Sequence, residues 1–176
     1  MVDVQCQSPS VQGVAFSLPI AGCLDPLLAL LGVEDHGQAL LQGDDLQRRF
    51  GLTQGQATIH HYRLGDECLD YVSFEGVDPV QQRHPGVANS LWFQHVAIVV
   101  SDLQRAAEQL MPVVTPISEA PQWLPNGVGA WKFRNAAGHA MELLWFPPGL
   151  GHPRWHEADA LLFQGLDHTA IAISDS

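Results

Sequence analysis

The stretch HVAIVVSDLQRAAEQLMP (residues 95–112) carries the clearest pattern in the chain, and its first half nearly recurs as HTAIAISDS at residues 168–176. Each copy begins with a histidine and an apolar run, which is typical of a buried strand, and continues into Ser-Asp. In the longer copy, Ser101 predicts a helix N-cap, and apolar residues recur at helical spacing up to Leu110 before Pro112 ends the helix. The pattern predicts a strand–helix unit that occurs more than once.

A second pair of segments supports this repeat. CLDYVSFEG (residues 68–76) aligns with AMELLWFPP (residues 140–148), which places Asp70 on Glu142 at an offset of 72 residues. The two histidine strands are 73 residues apart, so independent anchors give nearly the same period. Each repeat is therefore predicted to open with a histidine strand and to close with a carboxylate strand.

The first repeat departs from this pattern in two places. Its opening strand is predicted in GVAFSLPIAG (residues 13–22), where Gly13 occupies the position of the histidine. Its two ends are also farther apart than those of the second repeat, which indicates an insertion. We place that insertion at residues 33–51 and predict that it is helical.

These signals divide the chain into repeats separated by segments that contain proline and glycine. We predict a first module, a linker, a second module, a second linker and the opening strand of an incomplete third module. Their bounds are residues 12–75, 76–91, 92–147, 148–164 and 165–176, respectively. An incomplete module at the end of the sequence leads us to expect that the chain is the front part of a longer protein.

Composition excludes several classes of protein. The net charge is −11, and Lys132 is the single lysine, so the chain lacks the basic clusters that nucleic-acid binding needs. No apolar run approaches the ~20 residues of a membrane span, and the first residues do not resemble a secretory signal. We expect a cytoplasmic protein with no nucleic-acid or membrane partner.

The segments WKFRNAAGHAMELLWFP (residues 131–147) and RLGDECLDYVSFEG (residues 63–76) carry a family likeness. Together with the histidine strands, they resemble the vicinal oxygen chelate superfamily, which includes glyoxalase I, bleomycin-resistance proteins and extradiol dioxygenases. The family motif has Asp-Pro where this chain has Asn135 and Ala136. The resemblance implies an α+β fold in which tandem βαβββ modules pair into a curved mixed sheet that forms a cup.

The same resemblance implies a set of metal ligands on the first and last strands of the modules. The matching positions are His95, Glu142, His168 and Asp70, whereas Gly13 has no side chain to offer. Two histidines and a carboxylate with open positions suit Fe, Mn, Zn or Ni as a divalent ion. Glu142 or a nearby histidine is the candidate general base.

Two residues are candidates for binding a ligand in the cup. His61 follows His60 on a predicted strand, so one of these two side chains faces the cup. Trp131 supplies apolar area on a strand near Glu142. Trp145 is three residues from Glu142 on the same predicted strand and is expected to face away.

Three functions remain open at this stage. The first is a metal-dependent lyase, isomerase or ring-cleavage dioxygenase that acts on a small oxygenated molecule. The second is a metal-free protein that binds a small aromatic or drug-like molecule, and the third is an inactive fragment of a longer enzyme. The unpaired strand of the third module favours a homodimer, because an open strand edge tends to pair with another chain.

Overall fold

The computed structural model describes residues 11–77, 93–157 and 161–174. The linker predicted at residues 76–91 lies outside these ranges except for its first two residues, as do residues 158–160 of the second linker and Asp175. Helices are few, and the strands form two mixed sheets. This architecture confirms the α+β class with tandem βαβββ modules.

The first sheet has four strands in the order β1-β4-β3-β2. β1 runs parallel to β4, and the other neighbours are antiparallel. The elements are β1 (Gly13–Leu18), α1 (Asp25–Leu31), β2 (Glu34–Gln42), α2 (Asp44–Phe50), β3 (Gln56–Leu64) and β4 (Glu67–Glu75). α1 ends at Gly32, which adopts the left-handed conformation with φ of 67°.

The insertion predicted as helical at residues 33–51 is helical only over α2 (Asp44–Phe50). Its first part forms the edge strand β2, and only α2 is a helix. α2 places Leu46 on one face of the first sheet, where it packs with Ala57, Ile59 and Val72. α2 therefore covers part of one face of the first sheet.

The second sheet is built around β5, and its path runs β10-β5-β9-β8-β6, with β7 paired to β8. β5 is parallel to β9 and antiparallel to β10. The elements are β5 (Phe93–Val100), α3 (Leu103–Leu110), β6 (Thr115–Pro116), β7 (Gln122–Trp123), β8 (Gly129–Arg134), β9 (Ala140–Trp145) and β10 (Phe163–Ile171). The strand predicted to open a third module thus adds to the sheet of the second module.

The helix α3 begins one residue later than predicted. Its N-cap is Asp102, whose carboxylate accepts a hydrogen bond from the backbone N–H of Arg105 at 3.0 Å. The Ser101 N–H instead donates to the carbonyl oxygen of Leu162, which ties the end of β5 to the start of β10. Aspartate and serine are comparably good caps, so the local sequence did not distinguish them.

One hydrophobic core joins the two sheets. α1 and α3 contribute buried leucines and alanines to it, and its buried aromatic members are Phe16, Tyr71, Trp131, Phe133 and Phe163. The two helices also contact each other directly, because Gln109 donates to the carbonyl oxygen of Leu30 at 3.1 Å. The opposite face of the second sheet carries the polar side chains described next.

Among the described residues, no helix is long and apolar enough to cross a membrane.

Candidate metal centre

Three neighbouring strands direct ligand-type side chains to one face of the second sheet around Ala97. This alanine lies beside Glu142 on β9 and opposite His168 on β10. His95 is two residues before Ala97 on β5 and therefore shares its face. We call this the ligand face; Val96, Ile98 and Val100 alternate with it and enter the core. A small residue at the centre leaves room between the three side chains.

His168 reaches the ligand face because β10 contains a bulge. Leu166 lies opposite Ile98, whereas His168 lies opposite Ala97, so Asp167 is an extra residue with no partner of its own. Leu166 is 1% exposed and belongs to the core. Strict alternation would turn His168 toward that same core, and the bulge reverses its direction.

The three side chains form a tight cluster. His95 Nε2 lies 3.0 Å from Glu142 Oε2, and His168 Nε2 lies 4.0 Å from the same oxygen. One ligand atom from each residue lies within 4.8 Å of the other two, and within the described ranges this is the only such group of three. The Glu142 side chain is 9% exposed, that of His95 12% and that of His168 42%, so the cluster opens to solvent at His168.

The charges at the cluster favour an ionised carboxylate. Burial alone raises the pKa of Glu142, but the contact with His95 and the positive charge of Lys132 outweigh burial and bring its pKa below the ordinary value. Lys132 Nζ lies 3.6 Å from Glu142 Oε1, whereas both histidines lie beside Oε2. The two carboxylate oxygens therefore have different surroundings, and Oε2 is the one that faces both histidines.

Two observations indicate that this cluster fits a metal ion. His95 Nε2 is buried and meets no hydrogen-bond criterion in the described structure, although it lies 3.0 Å from Glu142 Oε2. An orphaned buried nitrogen is costly unless something else occupies it. In addition, ligands about 2.1 Å from one ion lie about 3.0 Å apart at right angles or about 3.4 Å apart in a tetrahedron. The 3.0 Å between His95 Nε2 and Glu142 Oε2 matches the first value, whereas His168 Nε2, at 4.0 Å from Glu142 Oε2, would have to move closer to share the ion.

The corresponding positions of the first module do not form a second centre. Ala15 lies beside Asp70 in the first sheet, as Ala97 lies beside Glu142 in the second. Gly13 and His95 each stand two residues before these alanines, so they are equivalent, as the sequence alignment predicts. A Cβ atom at Gly13 would lie 2.8 Å from the carbonyl oxygen of Cys68, so this site has no room for a histidine. Asp70 is not part of the three-residue cluster.

Asp70 instead pairs with His61, the neighbouring residue on β3. His61 Nδ1 lies 3.1 Å from Asp70 Oδ1, and the pair lines an open hollow of about 450 Å³ together with His36, Arg63 and Cys68. His61 occupies the register position of Lys132 in the second module. The predicted roles of Asp70 as a metal ligand and of His61 in ligand binding thus refer to a separate place in the fold.

The structure does not place Trp131 at a pocket wall. Lys132 lies opposite Glu142 on the ligand face, so Trp131 points to the other face, opposite Leu143. It is fully buried, stacks on Phe133 at a centroid distance of 5.1 Å and donates its indole N–H to the carbonyl oxygen of Ser118. Trp131 is a core residue.

Sequence reasoning missed two residues next to the cluster. Lys132 was visible as the single lysine of the chain, one position from a candidate tryptophan on a predicted strand. Asp167 was visible only as the residue that precedes His168. Its side chain nevertheless contacts the His168 ring, because Asp167 Oδ2 lies 2.9 Å from His168 Nδ1.

A large cavity in the described part of the chain lies away from this cluster. It has a volume of about 850 Å³ and lies at the far end of β5 from His95, where Val100, Trp145 and Trp155 line it. The chemical groups at the cluster, rather than cavity size, therefore identify the candidate site.

Comparison with known proteins supports the fold. No family model matches the sequence, and no curated protein is similar to it. A glyoxalase family protein from Bacillus cereus superposes with a TM-score of 0.62 at 16% identity, which covers 82% of this chain and 97% of that one. A glyoxylase/bleomycin resistance protein/dioxygenase domain from Frankia sp. gives 0.53 at 18% identity, covering 83% and 98%. A glyoxalase I variant from Zea mays gives 0.53 at 13% identity, covering 77% of this chain and 44% of that one.

Proposed function

We propose that this chain, which has the fold of the vicinal oxygen chelate superfamily, binds a divalent transition metal through His95, Glu142 and His168. We further propose that it acts with that metal as an enzyme on a small oxygenated molecule. The observation that carries the proposal is the convergence of these three side chains on the ligand face, within 4.8 Å of one another. Fe, Mn, Zn and Ni are the ions that this ligand set suits.

Each residue of the proposed centre has a separate role in the proposed reaction. When bound, the ion supplies a Lewis acid that can hold two neighbouring oxygen atoms of a substrate. Glu142 contributes Oε2 to the ligand set and keeps Oε1 beside Lys132, so Oε1 is the oxygen that we assign to proton transfer. The half-exposed side chain of His168 marks the side from which a substrate enters.

Lyases, isomerases and ring-cleavage dioxygenases are the reaction classes that the proposal covers. An enediolate-forming lyase or isomerase needs a base next to the oxygens that the substrate presents, and we assign that role to Glu142. A ring-cleavage dioxygenase needs an oxidisable ion such as Fe(II), and two histidines with one carboxylate suit that ion. Assays with a 2-oxoaldehyde thiol adduct and with a catechol separate these classes.

The second candidate function is metal-free binding of a small molecule. It is favoured by the first module, where Gly13 replaces the ligand histidine and α2 covers part of the face equivalent to the ligand face. In this case the second module would keep the fold without the ion. Metal content separates the two functions.

The experiment is metal analysis of protein purified without chelators. The proposal predicts about one transition-metal ion per chain, with content strongly reduced in His95→Ala. The control is His36→Ala, since His36 lies on β2 of the first sheet and contacts only Glu34 among the contacts described. Absence of stoichiometric metal, together with no effect of His95→Ala, would refute the metal centre and leave metal-free binding.

A further inference from the structure

A chain of polar contacts leads from the first sheet to His168. It begins at Glu67, at the start of β4, and passes through Arg154 and Trp155 in a short 3-10 turn (Pro153–His156) to Asp167 on β10. Each link is a direct side-chain contact. None of these four residues belongs to the proposed ligand set.

The first links fix the 3-10 turn to the first sheet. Glu67 is 2% exposed, and its Oε1 lies 2.6 Å from Arg154 Nη1. The Arg154 guanidinium stacks over the Trp155 ring at 3.9 Å, which holds the indole in place. Trp155 is itself 7% exposed, so its N–H has a fixed direction.

The last links end on the imidazole of His168. Trp155 donates its indole N–H to Asp167 Oδ1 at 3.3 Å, and the other oxygen of Asp167 lies 2.9 Å from His168 Nδ1. A carboxylate beside Nδ1 favours the tautomer that carries its proton there. Nε2, which faces Glu142 at 4.0 Å, is then free to act as a ligand.

We propose that Asp167 is a positioning residue that fixes the orientation and tautomer of His168, and that Trp155 and Arg154 hold Asp167 in place from the first sheet. The role of Asp167 in metal binding rests on the proposed metal centre, but its effect on the His168 tautomer does not require a metal. This chain of contacts also assigns a role to the first module. That module would anchor His168 through Glu67, although it contributes no ligand of its own to the metal centre.

The first measurement is the Kd for Co²⁺, used as a spectroscopic probe of the site. Carboxylates that orient a ligand histidine typically contribute 10–100-fold in metal affinity, so we expect about tenfold weaker binding in Asp167→Asn and up to about 100-fold in Asp167→Ala. Trp155→Phe keeps the ring beneath Arg154 but removes the N–H donor, and it should weaken binding less than Asp167→Asn.

The matched control is Asp66→Asn. Asp66 also contacts Arg154, at 3.4 Å, yet its side chain is 75% exposed and none of its described contacts is with His168. We expect its Co²⁺ affinity to stay within about twofold of the unaltered chain. Equal weakening in Asp66→Asn and Asp167→Asn, or affinities within twofold in both Asp167 variants, would overturn the proposal.

The second measurement needs no metal and separates this inference from the proposed function. Nitrogen-15 NMR of the imidazoles at about pH 9, where an ordinary imidazole of pKa ~6.5 is neutral, reports which nitrogen carries the proton. We expect Nδ1–H at His168 in the unaltered chain and a shift toward Nε2–H in Asp167→Ala or, if that variant does not fold, in Trp155→Phe. Nε2–H in the unaltered chain would overturn the positioning role. Failure of the unaltered chain to bind Co²⁺ would refute the metal centre and leave the tautomer to decide the role of Asp167.

Discussion

Replacing Glu67 with alanine tests whether the first sheet holds the strand that carries His168. Glu67 Oε2 accepts the backbone N–H of Leu166 at 2.8 Å, and Oε1 pairs with Arg154. The start of β10 leaves no spare volume here, because a Cβ atom at Gly165 would lie 2.5 Å from Glu67 Oε2. One carboxylate therefore connects β4, the 3-10 turn and β10.

The expected cost follows from these two contacts. Truncation leaves the Leu166 N–H buried without a partner, which costs about 1–3 kcal/mol. Arg154 is 26% exposed, so losing its ion pair with the buried Glu67 costs more than the ~1 kcal/mol of an exposed pair and less than the 3–5 kcal/mol of a fully buried one. Taking about 1–2 kcal/mol for the amide and about 2 kcal/mol for the ion pair, we expect a total loss of about 3–4 kcal/mol in the free energy of unfolding. This loss corresponds to a Tm about 6–16 °C lower at 2–4 °C per kcal/mol for a chain of this size.

Urea and thermal unfolding of metal-free protein measure this loss. Glu67→Gln keeps an acceptor for Leu166 and loses only the charge, so about half of the effect should remain. Asp66→Ala is the control, because the exposed Asp66 contacts the same arginine and should cost under about 0.5 kcal/mol. A cost below about 1 kcal/mol for Glu67→Ala, or one equal to that of Asp66→Ala, would refute the reasoning.

Three further predictions concern pH, the first module and assembly. Burial lowers the pKa of His139, so the folded chain binds this proton less readily than the unfolded chain. The free energy of unfolding therefore falls as the pH drops below ~6.5. His139→Phe should flatten this pH dependence in urea midpoints measured from about pH 7.5 to 5, and an unchanged slope would contradict the prediction. Gly13→Ala should cost about 1–3 kcal/mol in urea, because its Cβ meets the Cys68 carbonyl at 2.8 Å, and a neutral effect would show that β1 shifts freely. β10 (Phe163–Ile171) is the outer strand of the second sheet, and an open strand edge favours pairing with a second copy of the chain. Sedimentation should therefore give about twice the chain mass of 19.2 kDa, and a monomer mass would contradict the homodimer.

The repeat was predictable because similar strand sequences recur at a nearly constant spacing along the chain. Two segments anchor it, and the strand registers place Asp70 beside Ala15 and Glu142 beside Ala97, as the alignment requires. Gly13 was recognisable as the missing histidine from the same alignment. A fixed period predicts which strands of the two modules are equivalent, and the strand registers agree with that alignment.

Elements whose conformation depends on their partners were harder to predict. β2 is an exposed edge strand with only two half-buried side chains, so no alternation of apolar and polar residues marked it as a strand. The face of Trp131 could not be read from the sequence, because the phase of β8 is set by its pairing with β9, which puts Lys132 opposite Glu142. In both cases the deciding information lies in the neighbouring strand.

His168 shows most clearly why repeat position alone does not bring a side chain into the cluster. Leu166 is fixed in the core, and simple alternation from it would send His168 to the same face, away from His95 and Glu142. Asp167 reverses that direction as the extra residue of the bulge, and its carboxylate then contacts the ring that it has redirected. His168 therefore depends on Asp167 twice, once through the backbone and once through the side chain. Substitution of Asp167 tests only the second dependence, whereas its deletion would also remove the bulge and turn His168 away from the cluster.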